Sequence, residues 1–201
     1  MTKEEKVATF TKELSFITNP EIKKFTEVIL ENVPDYFFTI PASSTGKYHP
    51  SYTTGTGGLV LHTKAAVRIA YELFNMHDKD EEFTVDEKDI IIASLILHDT
   101  VKNGFIASNK YTDAKHPLYV TELIEKVINT DEQFTEIKES FHESSTKKVM
   151  FNAINSHMGK WNTDYRTKAI VLPTPKSKVD RFVHLADYLA SRKCLEFNFD
   201  V

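Results

Sequence analysis

Cysteine is nearly absent: Cys194 stands alone among 201 residues. One thiol makes neither a disulfide framework nor a thiolate cluster, which excludes a Cys-rich zinc site and makes a reducing cytoplasm the expected compartment. Glycine and proline are few, at six and seven. No low-complexity tract and no internal repeat of fixed period occurs, so a repeat architecture is excluded. No apolar run approaches the roughly 18–20 residues that a membrane-spanning helix needs. The opening MTKEEKVATFTKEL mixes acids with lysines and has no apolar segment, so it does not read as a secretory signal. Excess positive charge is missing as well, with a net charge of −4 and an isoelectric point near 6.1. That balance disfavours long nucleic acid as a partner and leaves room for a local basic pocket. The remainder is ordinary for a globular protein, and the length suits a single domain, residues 1–201, with a full core.

Strand signals are scarce too, limited to short pieces near 38–40 and 169–172. Helical periodicity fills most of the rest, so the fold class read from the sequence is all-α, a bundle of about seven or more helices. Residues 1–18 read as one amphipathic helix, with Val7, Phe10, Leu14 and Ile17 on one side. Asn19-Pro20-Glu21 is a capped start for a second, running to about Asn32. Residues 42–58, ASSTGKYHPSYTTGTGG, form a long loop carrying Lys47, Tyr48 and His49, either a solvated connection or a cover over a site. In residues 59–74, His62, Ala66, Ile69 and Leu73 share one stripe. Thr84-x-x-Glu87 is a capping box opening a helix to Leu97. His116 falls at the cap of the next helix, with Pro117 at its first position. Residues 131–145 are charged, a weak helix or a flap. Residues 147–156 are helical, with Val149, Met150, Ala153 and His157 on one face, and Gly159 ends that helix. Ser177 caps the last one, expected to run to about Cys194. Asp187 lies on its apolar stripe with Val183, Ala186 and Ala190.

The stretch IIIASLILHD, residues 90–99, organises the chain. Its helix is apolar all round, so it belongs in the middle of a domain. An imidazole and a carboxylate, His98 and Asp99, end it. Burying both costs several kcal/mol, about 2–7 for each polar group, unless something pairs with them. Each further polar residue has a plain reading alone: His62 and His157 as core histidines bonded to carbonyls, His116 as a cap. Together, His62, His98, Asp99, His157 and Asp187 all fall on inward faces. One or two divalent ions would satisfy them all, and a mixed imidazole–carboxylate shell suits Mn, Fe, Co, Ni, Zn or Mg. Asp99 is placed to bridge two such ions. His77, Asp78, Asp80 and His142 sit in charged stretches and read as solvent-facing.

The order His62, His98-Asp99, Asp187 resembles the HD superfamily of metal-dependent phosphohydrolases, over residues 46–193. The segments GGLVLHTKAA, LHDTVKNG, SHMGKWN and HLADYLASRK are similar to small stand-alone HD proteins and to the HD domain of YhaM-type 3′–5′ exoribonucleases. Residues 1–45 fall outside the resemblance. The OB-type nucleic-acid-binding domain of those exoribonucleases is not found in this sequence, which turns the expectation away from polymers. The resemblance implies an all-α fold in which His62, His98, Asp99 and Asp187 hold a first metal, and His116 and His157, sharing Asp99, a second. It also implies Asp99 and Lys102 as catalytic, Lys102 meeting the substrate phosphate. A metal-activated hydroxide would then cut a phosphoester of a small nucleotide: a nucleoside monophosphate, a dNTP, or a short or cyclic oligonucleotide. Substrate contacts are expected from Lys47, Tyr48, His49, Lys102, Lys160, Trp161 and Arg192. Trp161 reads equally as a core anchor and Arg192 as the partner of a surface acid. A 3′–5′ exonuclease on short ends and a non-catalytic nucleotide-binding module are the rival readings. The oligomeric state stays open.

Overall fold

The computed structural model describes residues 1–43, 45–76, 83–106, 112–134 and 145–195. Among them are eight α-helices: α1 Lys3–Ala8, α2 Thr11–Leu14, α3 Pro20–Glu31, α4 Gly58–Asn75, α5 Val85–Leu97, α6 His116–Thr130, α7 Ser145–Ser156 and α8 Lys178–Ala190. Short 3-10 turns lie at Asp35–Phe38, Ser51–Thr53 and Glu132–Phe134. The all-α reading holds. The expected strand pieces are not strands: Phe38 ends a 3-10 turn, and Ile170 makes a single antiparallel bridge to Thr163. No described helix is long and apolar enough to cross a membrane.

Helix α5 is the axis. Thr84 and Glu87 form the expected capping box, and residues 89–101 are all buried. Helices α3, α4, α7 and α8 pack around it. Fully burying each of Ile91, Leu95 and Ile96 is worth about 1.5–3 kcal/mol, so its position is strongly held. Asp89 on α5 is buried too. It accepts from the Thr18 amide, the Thr18 hydroxyl and the Asn19 amide, which fastens the start of α3 to the axis. Glu13, fully buried on α2, pairs with Arg68 of α4 at 3.3 Å.

Three boundaries differ from expectation. Residues 1–18 are two helices, not one. Thr9 and Thr11 donate their hydroxyls to the Glu5 and Ala8 carbonyls, in competition with the backbone ladder. Phe10 leaves helical geometry between them and is fully buried, its ring stacked with Phe37. His116 is the first residue of α6 and not its cap; Lys115 is the cap residue. Helix α8 stops at Ala190, because the Lys193 amide donates to the Tyr48 carbonyl at 3.0 Å and leaves the helical path. That bond also pins loop 45–57 against the end of α8. The same loop packs tightly at the start of α4, where a Cβ on Gly58 would fall 2.0 Å from the Thr53 carbonyl oxygen.

Candidate metal centre

Helix ends converge on one point. His98 caps α5 and Asp99 follows it; His116 opens α6; His157 lies just past α7. His62 comes from the buried face of α4 and Asp187 from α8. The last turn of a helix leaves carbonyls without intrahelical partners, and the histidines use such groups. His98 Nδ1 donates to the Leu95 carbonyl at 2.7 Å and His157 Nδ1 to the Ile154 carbonyl at 2.8 Å. His116 Nδ1 does the same to Asp113 at 2.8 Å. Each bond fixes the ring and its tautomer, leaving the Nε2 lone pair facing the centre, the second-shell arrangement typical of metal-ligating histidines.

Asp99 stands between two groups. Its Oδ2 lies 3.5 Å from His98 Nε2, 3.7 Å from His62 Nε2 and 2.5 Å from Lys102 Nζ. Its Oδ1 lies 2.9 Å from His116 Nε2 and 3.8 Å from His157 Nε2. Asp187 Oδ1 is 3.0 Å from His62 Nε2 and 3.5 Å from His98 Nε2. His62, His98 and Asp187 can thus converge on one ion, as can His98, Asp99 and His157. His98 Nε2 and Asp99 Oδ1 are buried and make no hydrogen bond. Orphaned buried atoms of this kind are costly unless an ion completes them, so the residues present fit a divalent metal in a nitrogen–oxygen shell.

The electrostatics are uneven. Burial would raise the Asp99 carboxyl, but Lys102, His98 and His116 beside it hold it well below the usual carboxylate range. Burial opposes ionisation of Asp187 as well, and the imidazoles of His62 and His98 beside it lower it strongly. Burial disfavours a charge on His98, yet Asp99 and Asp187 push it up overall. His157 goes the other way: burial and the neighbouring His98 lower it to about 3. A neutral His157 is the form that ligates.

Beside the centre opens a cleft of about 540 Å³, part of it continuous with solvent. Asp99, Lys102, His157 and Asp187 line its floor, while His49, Trp161 and Arg192 lie further along its walls. His49, from the loop, has its ring 5.5 Å from that of His62. Burial and the nearby His62 and Lys102 lower it to about 4. Lys47, Tyr48 and Lys160 do not line the cleft. The Lys47 and Lys160 amines lie over the rings of Tyr48 and Trp161, at 5.1 and 4.9 Å. Trp161 is 45% exposed, so it is no core anchor. Among the described residues no carboxylate pairs with Arg192; its side chain bonds Ser191 Oγ.

Sequence reasoning missed His184, Tyr188 and Ser191, which also line the cleft. Their spacing with Asp187, a stripe along α8, was the available signal. His184 Nδ1 donates to the His157 carbonyl at 2.6 Å, and its ring fills the space over Gly159, where a Cβ would fall 2.3 Å from it. Tyr36, from the first 3-10 turn, donates its hydroxyl to the Gly104 carbonyl at 2.7 Å and accepts from the Asn103 amide at 3.2 Å. It thereby holds the turn that follows Lys102. His77, Asp78, Asp80 and His142 lie outside the described residues.

Comparison with known proteins agrees with this geometry. No curated protein and no solved structure matches the chain. The family model of the HD domain matches residues 59–192, starting later than the expected 46 and leaving Lys47, Tyr48 and His49 outside. It spans two thirds of the 201 residues and contains every histidine and aspartate of the centre, and the chain belongs to the HD-domain family, whose members are in general metal-dependent phosphohydrolases.

Proposed function

We propose that this chain hydrolyses a phosphoester bond of a small nucleotide, with one or two divalent ions held by His62, His98, Asp99, His116, His157 and Asp187. The observation that carries the proposal is the double-sided setting of Asp99. Its Oδ2 faces His62 and His98 and its Oδ1 faces His116 and His157, which is what a carboxylate shared by two ions requires. When bound, such ions supply Lewis acidity at phosphorus and lower the pKa of water near neutrality.

The chain's own groups supply the remainder. Lys102 sits at the cleft floor, where its ammonium can meet phosphoryl oxygens as charge develops on them. Asp99 holds that ammonium in place through a direct contact. Trp161, half open on the cleft wall, offers a ring for a base. The slightly acidic chain and the single cysteine fit a cytoplasmic enzyme of small nucleotides better than one that tracks polymers.

The test is incubation of purified protein with Mn²⁺ or Co²⁺ and a mixed panel of ribo- and deoxynucleotides, dinucleotides and short RNA, followed by mass spectrometry, with Asp99→Ala alongside. One class should disappear with the wild type and persist with the variant, whose turnover should be at least about a hundredfold lower. Released phosphate would mark a nucleotidase, triphosphate a dNTP hydrolase, and a ladder of mononucleotides an exonuclease. Near-wild-type turnover by Asp99→Ala would sink the metal mechanism.

A further inference from the structure

Six side chains form a continuous ladder, alternating in part between cation and ring; Trp161, Tyr188 and Arg192 line the cleft, and Lys47, Tyr48 and Lys160 extend the ladder beyond it. Lys47 Nζ lies over Tyr48 at 5.1 Å. The Arg192 guanidinium lies between Tyr48, at 6.0 Å, and Tyr188, at 4.3 Å. Tyr188 stacks on Trp161 with centroids 5.6 Å apart and planes inclined by 16°. Lys160 Nζ covers Trp161 at 4.9 Å. The ladder draws on the loop, the segment after α7 and the end of α8, and the bond from the Lys193 amide to the Tyr48 carbonyl joins two of these. Such stacking pre-orients a guanidinium by covering its faces and leaving its edge free.

Arg192 has no carboxylate within ion-pair distance among the described residues. Its Nε and one terminal nitrogen donate to Ser191 Oγ, and further N–H groups remain for a ligand. Lys102 lines the same cleft and is bound to Asp99 at the centre. The cleft therefore offers two separately anchored cations, Lys102 held by Asp99 at the metal centre and Arg192 held against the tyrosine rings.

Resting on the proposed phosphohydrolase reading, we propose that Arg192 binds a second anionic group, distinct from the phosphate that is cut. The substrate is then a nucleotide with at least two phosphates, either an oligophosphate or a dinucleotide, and not a monophosphate. Arg192 fixes it edge-on, in the fork geometry that suits phosphate oxygens. Tyr188 and Tyr48 act as positioning residues through the guanidinium.

Trp161 is the chain's sole tryptophan and part of the ladder, so its fluorescence reports directly from the cleft. The experiment titrates AMP, ADP and 5′-phosphorylated diadenylate into the Asp99→Asn protein, which separates binding from turnover, and repeats the titrations with Arg192→Gln and Arg192→Lys added. ADP, the diadenylate or both should bind about tenfold or more tighter than AMP; which of them does separates an oligophosphate from a dinucleotide. Arg192→Gln should shrink that preference to about twofold, and Arg192→Lys, which keeps the charge but not the fork, should leave an intermediate value. Equal affinity for all three probes, an unchanged preference in Arg192→Gln, or no fluorescence change with any probe would overturn the assignment. Failure of the phosphohydrolase reading looks different: the binding preference would persist while the wild type with Mn²⁺ cuts none of the panel.

Discussion

His98 and His157 are neighbours, with ring centroids 4.9 Å apart, yet they are pushed in opposite directions. The two carboxylates claim a proton for His98, and burial denies one to His157. His157 and His49 have folded pKa values of about 3 and about 4, below the ordinary value near 6.5. Between about pH 6.5 and 4 the unfolded chain therefore binds more protons than the folded one at these two sites, and stability falls as pH falls. His98, raised from its ordinary value, acts in the reverse sense mainly above about pH 6.5, so it offsets part of the trend between pH 7 and 6.5 and little of it below. The metal-free protein should melt on the order of 5 °C lower at pH 5 than at pH 7. His49→Gln should flatten the dependence, and a melting temperature indifferent to pH would contradict the burial argument. His116→Ala tests the far side of Asp99: metal bound per chain, measured by mass spectrometry, should drop by about one ion, and an unchanged content would remove His116 from the ligand set.

At the scale of the element, what could be read depended on the range of the interaction. The capping boxes of α5 and α8, the Asn19-Pro20 start and the apolar axis rest on neighbours within one turn, and the sequence displays them. The break at Phe10 and the early end of α8 rest on a distant ring and a distant carbonyl, Phe37 and Tyr48, and no local pattern encodes those. The same division holds for the site. The inward histidines were legible from helical spacing, whereas for His184 and Tyr188 spacing gave only the face they share with Asp187, and their contacts with Gly159 and Trp161 come from packing. Gly159 has φ +57, and a Cβ there would strike the His184 ring. Gly159→Ala should cost about 1–3 kcal/mol by urea denaturation and shift the Trp161 emission, since the ring it displaces adjoins the tryptophan at 6.2 Å. A variant as stable as the wild type with unchanged emission would mean that the wall yields freely.

For the whole molecule, the candidate ligands sit on α4, α8 and the ends of α5, α6 and α7, so one bound centre ties five helices together. Ligand binding to the folded state alone stabilises by mass action, about 2.7 kcal/mol at a hundred times Kd. Saturating Mn²⁺ should therefore raise the melting temperature by roughly 5–10 °C for a chain of this size, and excess chelator should reverse it. No shift with any first-row divalent ion would leave the centre without its cation.

The grip of Tyr36 on the turn after Lys102, with Asp89 bonded to Thr18 and Asn19 and Glu13 paired with Arg68, bears on how this molecule may be divided. The matched region, residues 59–192, is a unit of descent but not a unit that can be cut free. Excised, it would strand the Asp89 carboxylate and take Glu13 away from Arg68, and the lysine at the cleft floor would lose the hydroxyl that steadies its turn. The early helices act as the jig in which the reactive half is held, and an engineer swapping modules of this kind should move the two together.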